Sequence, residues 1–121
     1  MIYIANILVA LVAVLHLYFL VLEMFLWTKP LGLKTFNQTR QKADESAVLA
    51  ANQGLYNGFL AAGLIWGLVH PGAGFGFEIK VFFLLCVIVA GLYGGYSVNK
   101  RIVMVQAVPA ALALAALWIA H

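Results

Sequence analysis

The chain has 121 residues, 65% of them hydrophobic and only 9% charged, with a formal net charge of +3. A soluble domain usually carries about 25% charged residues, so this composition excludes an ordinary water-facing surface and points to an integral membrane protein. The length fits a single all-α domain, a bundle of about four membrane-crossing helices of roughly 20 residues each. Nucleic-acid binding is not expected, because no basic face with interleaved aromatics is present.

The first apolar run is Ile2–Trp27. No basic residue precedes it, and it exceeds the roughly 7–15 residues of a signal-peptide core, so it reads as a retained first helix. Its only carboxylate is Glu23. A charged side chain at mid-bilayer costs roughly 2.5–3.5 kcal/mol on insertion scales, which makes such a residue a functional candidate. His16 lies seven residues earlier, on nearly the same helical face and about 10 Å away along the axis.

The first linker, Thr28–Ser46, is the one substantial polar segment. Pro30, Gly32, Leu33 and Phe36 form a weak pattern for a short interfacial helix. Asp44, Glu45 and Ser46 suit the N-terminus of a second span, where free N–H groups favour negative charge. That span, Ala47–Val69, carries Asn52, Gln53, Tyr56 and Asn57 in its first half. Gln53 and Asn57 form one i,i+4 pair, and Asn52 and Tyr56 form the adjacent one.

The second linker, His70–Glu78, reads as a flexible glycine-rich turn, and its context excludes a phosphate-binding loop. The third span, Ile79–Val98, holds Tyr93 and Ser97 near its end. It also contains the chain's single cysteine, Cys86, so no internal disulfide can form. A short third linker, Asn99–Arg101, leads to the fourth span, Ile102–Ala120, with Gln106 one turn in and Pro109 expected to kink it.

Positive charge sets the orientation. Lys29, Lys34, Arg40 and Lys42 lie in the first linker, and Lys100 and Arg101 in the third, against Lys80 alone beside the second. The positive-inside rule therefore places linkers one and three in the cytoplasm and both termini outside, in a bacterial inner membrane. Trp27 and Tyr96 then fall at the inner boundary, and Tyr3, Trp66 and Trp118 at the outer one, as interfacial belts favour. The spacings Gly54/Gly58, Gly63/Gly67 and Gly91/Gly95 let helices approach closely, chiefly within one chain, although a homo-oligomer is compatible with them.

In this orientation the polar residues gather in the cytoplasmic half, and the outer half is nearly pure hydrocarbon plus tryptophan. A cytosol-facing pocket around Glu23 follows, with His16, Asn52, Gln53, Tyr56, Asn57, Tyr93 and Gln106 as candidate ligand-binding residues. Glu23 and His16 are the candidates for acid–base chemistry. The competing structural reading lets Glu23 reach the interface and pair with Lys29. No metal or other cofactor is expected: His16, His70 and His121 sit at different depths, and no paired-ligand spacing occurs. No nucleophile motif is present.

Two motifs carry a family resemblance. They are His16-Leu17-Tyr18-Phe19-Leu20-Val21-Leu22-Glu23-Met24-Phe25-Leu26-Trp27 and Asn52-Gln53-Gly54-Leu55-Tyr56-Asn57-Gly58-Phe59-Leu60. Together they resemble the bacterial membrane-protein family called domain of unknown function 1304, over nearly the whole chain. The resemblance implies a small four-helix membrane protein and carries no established activity. Small multidrug exporters share the size and a first-helix carboxylate, but their motif around that residue is missing, and the strong charge bias here favours a single orientation.

Three functions compete. The first is a module that binds, and in an enzymatic version transforms, a small amphipathic or lipid-like molecule at Glu23. The second is proton-coupled transport or efflux through Glu23, which needs polar access from both sides. The third is a structural or regulatory subunit whose basic linker docks a partner. Membrane lipids are the expected neighbours in every case.

Overall fold

Apolar segments that leave water must satisfy their own backbone groups, and helices do so locally. The computed structural model describes all 121 residues, Met1–His121, and is all-α with no strand. Five α-helices follow in order: α1 (Ile2–Met24), α2 (Pro30–Thr35), α3 (Arg40–Val69), α4 (Ala73–Ser97) and α5 (Val108–Ala120). A π-helical turn, Val103–Ala107, leads into α5.

Several boundaries differ from the sequence expectation. α1 ends at Met24 rather than Trp27, where the N–H groups of Phe25 and Leu26 both bond to the Val21 carbonyl (3.0 and 3.1 Å). The short linker helix forms as α2, with Pro30 in its first turn, where a missing N–H does no harm. α3 starts at Arg40, because Thr39 Oγ1 accepts the Lys42 N–H at 3.2 Å and caps it. Asp44, Glu45 and Ser46 therefore lie inside α3 rather than ahead of it. Ser46 instead accepts a bond from Trp27 Nε1 at 3.1 Å, and the Trp27 ring packs on Phe36 with centroids 4.7 Å apart.

The second linker is not a long flexible turn. α4 begins at Ala73, so only His70–Gly72 connects it to α3. Glycines that read as breakers are used for close packing: a Cβ on Gly76 would meet the Gly67 carbonyl oxygen at 2.9 Å. Near Pro109 the chain widens into the π turn, which accommodates a residue that cannot donate to the carbonyl four positions back.

Three helical segments are long and apolar enough to cross a membrane: Ile2–Met24, Ala73–Ser97 and Val103–Ala120. α3 has ample length, but Asn52, Gln53, Tyr56 and Asn57 dilute its apolar stretch, and it is not among the three. The sequence expectation of four such spans thus narrows to three on composition.

The chain divides into two compact units. One comprises Met1–Val14 with Leu60–His121. Its core draws Ala5, Val9 and Val12 from α1, Leu64 from α3, Leu84 and Val87 from α4, and Ala110, Ala113 and Leu117 from α5. Small residues set the closest helix approaches. A Cβ on Gly91 would lie 2.7 Å from the Ala107 backbone nitrogen, so α4 meets the π turn backbone to backbone. The larger side chains Leu11, Phe82, Leu85, Val89 and Leu112 point outward and are exposed. The other unit, Leu15–Phe59, joins the end of α1, α2 and the first two-thirds of α3. There Gly54 and Gly58 seat against α1: a Cβ on either would come within 2.7 Å of Met24 or Leu20 respectively. All the glycine pairs pack within this one chain.

Candidate functional site

In the Leu15–Phe59 unit, Glu23 and Asn57 come together. The Asn57 side-chain amide donates to Glu23 Oε1 at 2.5 Å, and both residues are buried, 8% and 7% exposed respectively. The local sequence explains the meeting. Ala50, Gly54 and Asn57 follow one another at helical spacing and are all buried, so the small residues let α3 close on α1 and carry Asn57 to the carboxylate. The proposed Glu23–Lys29 pair is not made. The single ion pair within 4.0 Å is Arg40–Asp44, at 3.7 Å on the exposed first turns of α3.

His16 is fully buried on the face of α1 that also carries Glu23, with its ring edge-on to Phe19 at 5.2 Å. None of the other candidates in this unit bonds to Glu23. Asn52 and Gln53 are exposed, and Tyr56 is 55% exposed beside Phe59. Tyr93 and Gln106 belong to the other unit, Tyr93 on an exposed face of α4 and Gln106 half-buried in the π turn. The polar ring expected around Glu23 from its own unit therefore reduces to Asn57, with His16 two turns up the helix. A carboxylate offers about four lone-pair positions and Asn57 uses one. Acceptor capacity remains for a donor or cation.

A second polar cluster went unnoticed in the sequence. In the Met1–Val14/Leu60–His121 unit, Lys80 is buried, 7% exposed, and its Nζ donates to Asn6 Oδ1 at 2.9 Å. The pair borders a cavity of about 420 Å³ that His70, Phe77, Leu117 and His121 also line. The end of the fold expected to be hydrocarbon is therefore polar inside. Lys80 read as an interfacial charge only because α4 was expected to start at Ile79; it lies two turns into that helix. His70 and His121, expected at different depths, border one cavity. The signal was present in the register: Gly76, Lys80, Leu84, Val87, Gly91 and Gly95 form one buried stripe of α4.

Comparison with known proteins agrees with the motifs. A family model described as protein of unknown function (DUF1304) matches residues 10–118. The uncharacterized protein YpaA of Lactococcus lactis subsp. lactis (strain IL1403) is 35% identical over 106 residues, covering 86% of this chain and 87% of that protein. No solved structure matches. With both Glu23 and Asn57 inside the matched region, the chain belongs to the DUF1304 family.

Proposed function

We propose that this is a multi-pass protein of the bacterial inner membrane whose α3 forms a fourth crossing, and that it binds a small amphipathic molecule through Glu23. Support for the membrane comes from the outer face, where large aliphatic and aromatic side chains are exposed all along the helices around a core of Ala, Val and Leu. Linker charge orients the chain with Lys29, Lys34, Lys100 and Arg101 in the cytoplasm. Glu23 then lies near the cytoplasmic end of α1.

One observation carries the binding reading. Glu23 is a buried carboxylate with an amide donor and no cationic partner. Such a group is best complemented by a ligand that brings a cation or a strong donor, joined to an apolar body that the surrounding helices accept. A basic amphiphile meets both demands.

The test compares octylamine with octanol as stabilisers of the purified protein in nanodiscs. Wild type is expected to melt higher with octylamine, and Glu23→Gln, which keeps a carbonyl acceptor for Asn57, is expected to lose that preference. An equal response of both proteins to both compounds would remove Glu23 from any binding role. The tight seating of Gly54 against Glu23, 3.1 Å from an added Cβ, favours a second reading in which the Glu23–Asn57 bond only locks α1 to α3. That reading expects no amine preference at all.

A further inference from the structure

The cavity beside Lys80 has no part in the reading of Glu23, and its chemistry is opposite. Its polar lining comprises the Lys80 ammonium, the Asn6 amide and two imidazoles, His70 and His121. No carboxylate lies within 4.0 Å of Lys80. Glu78, two residues earlier on α4, is exposed on another face. Lys80 thus has one neutral acceptor, Asn6, for its three donors. A buried ammonium without a counter-charge is unfavourable unless something supplies one.

The surroundings are built rather than incidental. Gly67 has no side chain where a Cβ would strike Lys80 Cγ at 2.6 Å, so the lysine stem lies directly on α3. The Gly72 N–H donates to His70 Nδ1 at 3.0 Å, and the Gly72 carbonyl oxygen lies 3.3 Å from the same nitrogen, so the linker backbone fixes the ring. His121 stacks on Phe77, centroids 3.8 Å apart and planes 12° from parallel. Leu68, Phe77 and Leu117 supply apolar wall. The volume, about 420 Å³, lies within the usual range for small-molecule sites.

We propose that this cavity is a binding site for an anionic amphiphile: a carboxylate or phosphate head held by Lys80 and the imidazole of His70, with a short apolar body against Phe77 and Leu117. The head could be offered by a soluble organic acid or by an anionic lipid, and the two sources are separable.

The experiment measures binding of hexanoate, hexanol and inorganic phosphate to the full chain in phosphatidylcholine nanodiscs by titration calorimetry. Native mass spectrometry then counts retained lipid from nanodiscs containing phosphatidylglycerol. A soluble acid source predicts hexanoate bound at least tenfold more tightly than hexanol. A lipid source predicts selective retention of phosphatidylglycerol over phosphatidylcholine, with hexanoate or phosphate competing for it. Either preference must vanish in Lys80→Met. The same substitution is expected to leave the melting temperature unchanged or raised, because it removes an uncompensated buried charge. Ala120→Trp, which fills the cavity but keeps the Lys80–Asn6 pair, must also abolish binding and serves if Lys80→Met does not fold. Anion preference that survives Ala120→Trp, hexanol bound as well as hexanoate without lipid selectivity, or a lower melting temperature in Lys80→Met with no anion preference in wild type would each overturn the assignment.

Discussion

Replacing Asn57 by leucine would leave Glu23 buried without its one side-chain donor. A buried group that loses its partner costs about 1–3 kcal/mol, and bonds to charged groups are worth about 1.5–3 kcal/mol. An ordinary interhelical hydrogen bond in a membrane protein averages only about 0.6 kcal/mol. Asn57→Leu is therefore expected to destabilise the protein by about 1–3 kcal/mol. Replacing both partners, with Glu23→Leu added, should recover most of that loss, because apolar groups of similar size satisfy each other. The coupling energy from the double-mutant cycle should exceed about 1 kcal/mol. Reversible unfolding of the purified protein in mixed micelles, titrated with dodecyl sulfate, gives all four stabilities. A coupling below about 0.3 kcal/mol, the usual additivity error, would mean that the bond does not hold α1 to α3 and that the buried carboxylate is accommodated otherwise.

Other consequences are simpler to read. Gly91→Leu would drive a side chain into the Ala107 backbone and should cost about 1–3 kcal/mol or more, whereas Gly74→Ala, with nothing within 4 Å, should be stabilising by about 0.5–1 kcal/mol; melting temperatures compare the two. Thr39→Ala removes the cap of α3 and should lower stability by about 1 kcal/mol, read in the same unfolding titration. In a Cys86→Ser background, a cysteine placed by Ala73→Cys should react with a membrane-impermeant maleimide from outside intact cells, and one placed by Lys34→Cys should react only after lysis. The reverse labelling would invert the orientation, and labelling of both from outside would remove a crossing between them.

The helical character of the chain was legible because apolar runs of 18 residues or more have few other solutions. Pro30 and Pro109 also marked real events, the start of α2 and the π turn. Local composition misled at two ends. Asp44, Glu45 and Ser46 resembled a helix start, but Thr39 caps the helix five residues earlier, since one hydroxyl at the right position decides the boundary. Gly74 and Gly76 resembled a loop with Gly72, yet they lie inside α4, and at Gly76 the missing side chain lets α3 approach, which propensity cannot distinguish from a helix break.

The site was half legible. Glu23 stood out as a carboxylate in an apolar run, and Asn57 was one of four polar candidates on the next long helix. Depth alone could not separate Asn57 from Asn52, Gln53 and Tyr56. The small residues Ala50, Gly54 and Ala61 could have done so, since they share the buried face of α3 with Asn57 and not with the other three. Lys80 was lost for a related reason: a lysine near a span end is ordinarily an interfacial anchor, and only its register with Gly76, Leu84 and Val87 shows that it turns inward.

The most direct measurement is the affinity of the intact protein for octylamine relative to octanol, in wild type and in Glu23→Gln. A ligand cation bonded to the buried carboxylate should add about 1.5–3 kcal/mol, or roughly 10- to 150-fold in affinity. Wild type should therefore prefer the amine by at least tenfold, and the variant should bind the two compounds within about twofold of one another. Equal affinities in wild type, or a preference that persists in Glu23→Gln, would contradict a ligand-binding role for Glu23.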